Sequence, residues 1–348
     1  MTRLPHHALS AAARRFYPGH CARHFVPICF QCGKALRTVM AKYIIKRVLV
    51  IIPMLLVLTF ATYGLMEIAP GDPAEMKLKA QGVIPSEEAL EKTRAQMHLD
   101  EPFIQRYGEW LVSALHGDLG TSYKDNRAVT EKLGIATGYT AILALSALII
   151  SLIISFPLGI VAALRRNGFF DYLIRFMTFI GNALPRFLLA VLLIYFFCLR
   201  MKVFPVIAKE TVNGLFLPAL CLAIGLICEF TRQIRAEVLE QIGKPYVTGA
   251  KARGVKAGRI LCSDILHNAM ITLLTVIGLS FAGLLGGSVV IETIFQWPGL
   301  GKLCMDAITN RDYPVVLGFV IWICLIYMIV NLITDISYRY FDPRVKEE

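Results

Sequence analysis

Residues 139–164 read YTAILALSALIISLIISFPLGIVAAL, without a charged side chain from end to end. At about 1.5 Å of rise per residue, a helix of this length more than crosses a hydrocarbon core of about 30 Å. Inside lipid a helix also satisfies its own backbone hydrogen bonds. Five further segments share this character: Ile44–Met66, Tyr172–Leu199, Leu215–Phe230, Ala269–Ile291 and Val315–Ile333. The segment Leu215–Phe230 is short and is expected to run on through Arg232 into the headgroups. With 348 residues, 56% of them apolar and 18% charged, the chain reads as an all-α polytopic membrane protein with six transmembrane helices.

Orientation follows from the polar stretches between these runs. Lys and Arg outnumber acids on the side that holds both termini, and acids outnumber bases on the other side. The positive-inside rule therefore places both termini in the cytoplasm. The net charge of +11 is then a topology signal, and membrane lipid rather than nucleic acid is the expected polyanionic neighbour. The reading divides the chain into residues 1–39, a first transmembrane helix at 40–66, a periplasmic insert at 67–138, a five-helix core at 139–336 and a cytoplasmic tail at 337–348.

Residues 1–39 are basic and carry no acid. They read as a leader or mis-assigned start ahead of Met40, where MAKYIIKRVLVIIP has the look of a natural beginning. The spacing of Cys21, His24, Cys29 and Cys32 resembles a zinc knuckle, but a metal site is not the favoured reading and none is assigned. Of the nine cysteines, Cys198, Cys221, Cys228, Cys262, Cys304 and Cys324 lie in or beside apolar segments at no pairing spacing, as small apolar fillers do.

The insert opens with two prolines and a glycine in Glu67–Pro73, which stop the first helix. Two helical stretches follow, ending near Leu99 and His116. The second places Phe103, Tyr107, Trp110, Leu111 and Leu115 on one face, suited to packing on the spans at the outer interface. His98 and His116 are lone histidines and read as structural.

Within the fifth span, Gly278, Ala282 and Gly286 recur at four-residue spacing, which lets two helices approach closely in lipid. Arg186 follows Pro185 at the centre of the third span. An arginine at mid-membrane costs about 2.5–3.5 kcal/mol on an insertion scale, and such charges usually face a polar cavity. Arg186 and Pro185 are accordingly candidates for a translocation path, with Pro185 placed to break the helix; a paired or snorkelling arginine is the alternative. Glu292, Arg311 and Asp312 form a possible extracytoplasmic polar cluster, with an ordinary solvated loop the equal alternative.

The long polar island at 237–268, EVLEQIGKPYVTGAKARGVKAGRILCSDILHN, lies on the cytoplasmic side. Pro245 suits a first helical turn and Gly254 the left-handed residue that ends one. The short helix between them, with Lys244, Lys251, Arg253, Lys256 and Arg259 in and around it, reads as a docking element. The chain has no GxxxxGK[ST] phosphate loop, no HExxH and no GxSxG. It is expected to be no enzyme and to bind no cofactor itself, so an engine must come from a separate subunit.

These features resemble one family. From Met40 to Arg344 the chain is similar to the inner-membrane permease subunits of bacterial ABC importers for dipeptides, oligopeptides and nickel. The matching strings are APGDP at 69–73, LDEPF with RYGEWL at 99–111, GDLGTS at 117–122, FPLGI at 156–160, VIETIFQWPGLGKL at 290–303, NRDYPV at 310–315 and DPR at 342–344. The resemblance implies a type I importer permease fold and a multi-pass place in the bacterial inner membrane. It identifies 237–268 as the loop that couples to the ATPases, with Tyr246, Thr248, Ala250, Lys251, Arg253 and Gly254 as the residues assigned to that coupling. Ala250 and Gly254 match the family's second alanine and its glycine. Thr248 stands where a glutamate is usual and Gly249 where the first alanine is. Between Ser263 and Thr272 a histidine, an arginine and a proline of the family pattern are missing.

The implied partners are a homologous second permease, two ATPase subunits that use ATP, and a periplasmic or other extracytoplasmic substrate-binding protein. NRDYPV, the Ala250–Gly254 core and PSEEALEKTRAQ lean toward the nickel branch, so nickel or a nickel chelate is the expected cargo. A dipeptide or oligopeptide is the alternative, and an ATP-independent channel is the alternative of another class.

Overall fold

A computed structural model describes residues 49, 50, 52–68, 71–82, 84–208 and 211–341. Residues 1–39, with their cysteine and histidine spacing, lie outside it, as do Met40 and Asp342–Arg344. The chain divides into two compact units, Met1–Leu56 and Val57–Glu348. In the first unit the described residues, 49, 50 and 52–56, are helical.

The second unit is helical throughout, with one isolated bridge, Thr121 to Ala128, among the described residues. It opens with α1 (57–68), α2 (Pro73–Ala80), α3 (Glu87–Gln96) and α4 (Phe103–Leu115). Asp72 caps α2 and Ser86 caps α3, each side chain accepting a backbone N–H of the first turn. The aromatic face expected on α4 exists: Phe103 and Tyr107 meet Phe60 of α1 edge-on, and Trp110 lies against Tyr63. Leu115 turns away and is exposed. The two histidines are held locally, His98 against Glu101 and His116 against the Val112 carbonyl, both at 2.8 Å.

The core follows: α5 (Val129–Leu164), α6 (Phe169–Ala183), α7 (Arg186–Leu193, continued by π-helical turns over Ile194–Arg200), α8 (Val212–Ile242) and α9 (Pro245–Ala252). A turn at Ala257–Arg259 and π-helical turns at Ile260–Ile265 lead into α10 (Leu266–Gly287), α11 (Val289–Phe295), α12 (Leu300–Thr309) and α13 (Tyr313–Phe341). Three helices, Val129–Leu164, Val212–Ile242 and Tyr313–Thr334, are each long and apolar enough to cross a membrane. Bent helix pairs raise the number of candidate spans to at most six among the described residues.

Several boundaries differ from the expected ones. At 36 residues, α5 is about 54 Å long and begins at Val129, inside the segment assigned to the insert. α8 continues through Arg232 to Ile242 and absorbs the first residues of the 237–268 stretch. The third expected span, Tyr172–Leu199, is not one helix: α6 and α7 meet at 100°. Pro185 disfavours helical backbone at Leu184, which is extended at ψ 126°, and the break falls where the proline sits.

Packing centres on α5 against α8. A Cβ on Gly159 would lie 2.7 Å from Ile234 Cγ2, so only glycine admits this approach. The small-residue stripe of α10 works at one end. A Cβ on Gly278 would meet Thr334 of α13 at 2.4 Å and Ala282 is buried, whereas nothing lies within 4 Å of one on Gly286. At Gly278 the close neighbour is α13 of this chain. Cys198, Cys221, Cys228 and Cys304 are buried as expected of fillers; Cys262 is exposed.

Candidate translocation path and coupling surface

The helix expected to dock, α9, starts at Pro245 and is closed by Arg253 and Gly254, the latter at φ +75°. The Gly254 N–H donates to the Lys251 carbonyl and the Val255 N–H to that of Ala250, which turns the chain back toward the body. Val247 and Ala250 form its buried face. Tyr246, Thr248, Lys251 and Arg253 are exposed. Ala250, named with the coupling loop, lies on this buried face and seats the helix. Two bonds tie α9 to the end of α8: Tyr246 Oη donates to Gln241 Oε1 at 2.9 Å, and Lys244 pairs with Glu240 at 2.8 Å. The Glu240 carboxylate raises the Lys244 pKa, chiefly through that hydrogen bond.

Beneath this surface α6 and α8 are clamped by a bidentate ion pair. Arg235 donates to both carboxylate oxygens of Asp171 at 2.6 and 2.8 Å, and Asp171 is wholly buried. The Asn167 N–H adds a third bond to Asp171 at 2.9 Å.

Arg186 stands at the first turn of α7, immediately after the break, and is exposed within this chain. It lines a cleft of about 440 Å³ together with Glu229 and Gln233 of α8 and Ser280 and Gly283 of α10. Glu229 and Gln233 are one helical turn apart, so both project to the same side. The cleft thus brings a cation, an anion and neutral polar groups to the rim of the bend. Sequence reading named Arg186 and Pro185 but not Glu229 and Gln233, which share the cleft with Arg186 and look like ordinary residues at the end of an apolar run.

Glu292, Arg311 and Asp312 do not form one cluster. Glu292 is fully buried among hydrogen bonds of its own. Thr140 and Ser288 donate their hydroxyls to Oε1 at 2.9 and 2.6 Å. The N–H groups of Gly301 and Lys302, at the start of α12, donate to Oε2 at 2.7 and 3.2 Å. A carboxylate at a helix N-terminus satisfies donors that the helix leaves free. Glycine is required at position 301, where a Cβ would lie 2.5 Å from the Val289 Cα. The Trp297 indole N–H completes the knot by donating to the Tyr139 carbonyl at 3.0 Å.

Asp312 belongs to a second knot, accepting from the Ser122 hydroxyl and from the Tyr123 N–H at 3.0 Å. Lys132 reaches Ser122 and Asp125 there, both at 3.0 Å. Among the described residues no three His, Cys, Asp or Glu side chains gather into a metal-holding group.

Residues 155–347 match the family described as "binding-protein-dependent transport system inner membrane component", and residues 40–144 match the N-terminal part of such membrane components. The oligopeptide transport system permease protein AppB of Bacillus subtilis (strain 168) is 36% identical over 319 residues, covering 88% of this chain and 100% of AppB. The dipeptide transport system permease protein DppB of the same organism is 36% identical over 309 residues, covering 88% and 98%. Among solved structures, an inward-facing conformation of the MetNI methionine ABC transporter aligns at a TM-score of 0.50 and 17% identity. It covers 60% of this chain and 96% of that one, a likeness of fold alone.

Proposed function

The chain belongs to the inner-membrane components of binding-protein-dependent transport systems, and from that premise we propose that its cargo is a dipeptide or oligopeptide. It is a permease subunit of an ABC importer and a multi-pass inner-membrane protein. The observation that carries the cargo reading is 36% identity, along nearly the whole length of the relatives, to proteins named for oligopeptide and dipeptide transport. The lean toward nickel drawn from short strings finds no counterpart in these relatives, so the peptide alternative replaces it.

The cleft at the helix break supports this reading. A peptide with free termini carries a carboxylate and an ammonium, and Arg186 and Glu229 offer the opposite charges on one rim. Neutral Gln233 and Ser280 suit amide groups in between. In our reading an ATPase dimer closes beneath the permeases and moves α9 through its exposed face of Tyr246, Thr248, Lys251 and Arg253. The spans then switch by rigid-body gating, and ATP chemistry stays in the partner subunits. A second, homologous permease completes the path, and an extracytoplasmic binding protein delivers the peptide.

The test is uptake into proteoliposomes holding the assembled importer and its binding protein, with labelled dipeptides, longer peptides and a nickel chelate supplied separately. ATP-dependent accumulation of peptide is the expected result. Accumulation of the nickel chelate alone would overturn the cargo reading, and uptake without ATP would favour a channel.

A further inference from the structure

A second cleft of about 440 Å³ opens between α6 and α8, on residues that no part of the transport reading uses. Its walls carry Arg175, Arg232, Arg235, Thr231, Tyr172 and Phe179. Arg235 is occupied by Asp171. Among the described residues neither Arg175 nor Arg232 has a carboxylate within ion-pair distance, and the one acid whose charge Arg175 feels, Asp171, is already engaged by Arg235. Arg175 lies 5.8 Å from the ring centroid of Tyr172, which holds its guanidinium over the cleft without neutralising it.

A further observation points to a missing ligand. Thr231 is 1% exposed and its hydroxyl has no hydrogen-bond partner. Buried hydroxyls are ordinarily bonded, and this one belongs to a residue lining a cation-rich cleft. Beside the cleft, Tyr172, Phe176 and Phe179 expose their rings. Arginines backed by exposed aromatics suit a headgroup with acyl chains lying alongside, more than a small ion that uses no apolar surface. Position agrees, since Arg232 and Arg235 lie within about 15 Å of the end of α8, where α9 begins. With that end of α8 on the cytoplasmic side, as the coupling role proposed for α9 requires, this is the depth of the headgroups, where basic pockets between helices bind phosphate headgroups.

We infer that the cleft of Arg175, Thr231 and Arg232 is a binding site for the phosphate headgroup of an anionic phospholipid. The headgroup phosphate accepts from the two guanidinium groups, and the lipid becomes a wedge between α6 and α8 beside the Asp171–Arg235 clamp, opening Thr231 Oγ1, which is covered in the present packing, to the phosphate.

The experiment reconstitutes the full chain, with the subunits it assembles with, in nanodiscs of phosphatidylcholine with or without phosphatidylglycerol. Retained lipid is then read by native mass spectrometry. Wild type is expected to keep phosphatidylglycerol in preference to phosphatidylcholine, and R175Q/R232Q to lose at least about fivefold of that preference per arginine removed. R175K/R232K, which keeps both charges, is expected to retain most of it. If the double variant does not assemble, R175Q and R232Q singly carry the same comparison. Equal retention of the two lipids by wild type, or an unchanged preference in the glutamine variants, overturns the site. So does displacement of the lipid by millimolar inorganic phosphate alone, which would make it a free-anion site.

Discussion

The hydroxyl of Thr140 donates to Glu292 across 152 positions of sequence while it accepts the Leu300 N–H at 2.8 Å. One side chain thus joins the N-terminal part of α5, the short helix α11 and the start of α12. Because Glu292 also takes Ser288 and the Gly301 and Lys302 N–H groups, the turn from Gln296 to Lys302 is set by a single buried carboxylate. Removing it strands four donors. Glu292→Ala is expected to destabilise the protein by about 3 kcal/mol or more, and Thr140→Val by about 1–2 kcal/mol. Thermal unfolding of the purified protein in one detergent checks the order; a midpoint for E292A at or above that of T140V would show that the carboxylate is not the keystone.

This knot was the least legible part of the chain in sequence. Glu292 stood out only as a charge after a span, and its natural companions appeared to be Arg311 and Asp312, close by in sequence. Three of its donors, Ser288 and the Gly301 and Lys302 N–H groups, are close by in sequence, but the fourth, Thr140, comes from a helix far upstream, and no local period encodes such a meeting. The 100° bend was half legible. Proline chemistry places the break at Leu184–Pro185, but the angle is set by how α6 and α7 each pack on α8. By contrast the docking helix was readable almost to the residue, because its ends depend on Pro245 and Gly254, whose backbone preferences act locally. Ala250 marks the limit: spacing shows that it shares a face with Val247, but not that this face is the buried one.

At Gly254 the cost of substitution is purely conformational. No heavy atom lies within 4 Å of an added Cβ, yet φ is +75°. Left-handed backbone costs a side-chain-bearing residue about 1–2 kcal/mol, least for asparagine and most for β-branched residues. Gly254→Val is therefore expected to tilt α9 and lower both uptake and peptide-stimulated ATP hydrolysis, with Gly254→Asn between it and wild type. Full activity in the valine variant would separate the left-handed turn from coupling.

The clamp between α6 and α8 makes a different prediction. Asp171 is wholly buried, whereas the Arg235 side chain is 20% exposed. Asp171→Asn leaves the arginine without its counter-charge, at a cost near the lower end for a broken buried pair, about 3 kcal/mol. Arg235→Gln leaves the buried carboxylate alone. A double-mutant cycle read by unfolding midpoints is expected to return a favourable coupling; additive single effects would mean that the pair does not clamp the two helices.

Acid should loosen the insert at Asp125. Burial alone would raise this carboxyl's pKa, but hydrogen bonds from Lys132 and the Arg127 N–H outweigh it and hold the pKa below the usual carboxylate value. A depressed folded pKa means that the stabilisation is present above the unfolded value, near 4, and is lost as pH falls through the folded value. Amide protection across residues 121–128, relative to the intrinsic exchange rate at each pH, is expected to fall below about pH 4, and Lys132→Met should shrink the pH step. A wild-type step centred well above pH 4 would assign the titration elsewhere.

Arg186 offers a way to tell a path residue from a structural one. A mid-membrane arginine costs about 2.5–3.5 kcal/mol on insertion, so Arg186→Leu should insert and accumulate at least as well as wild type. A structural arginine would show the reverse, because its replacement would expose an unmet partner. Arg186 makes no side-chain hydrogen bond or ion pair among the described residues, and it faces Glu229 and Gln233 across an open cleft. R186L is therefore expected to reach normal membrane levels and to keep normal affinity between binding protein and peptide, yet to slow uptake of peptides with a free carboxylate. Peptides amidated at that end should be affected less, since they bring no charge for the arginine to meet. The converse variant, Glu229→Gln, should spare peptides acetylated at their amino end. If amidated and free peptides slow to the same degree in R186L, the arginine acts on the conformation of the bend rather than on the cargo.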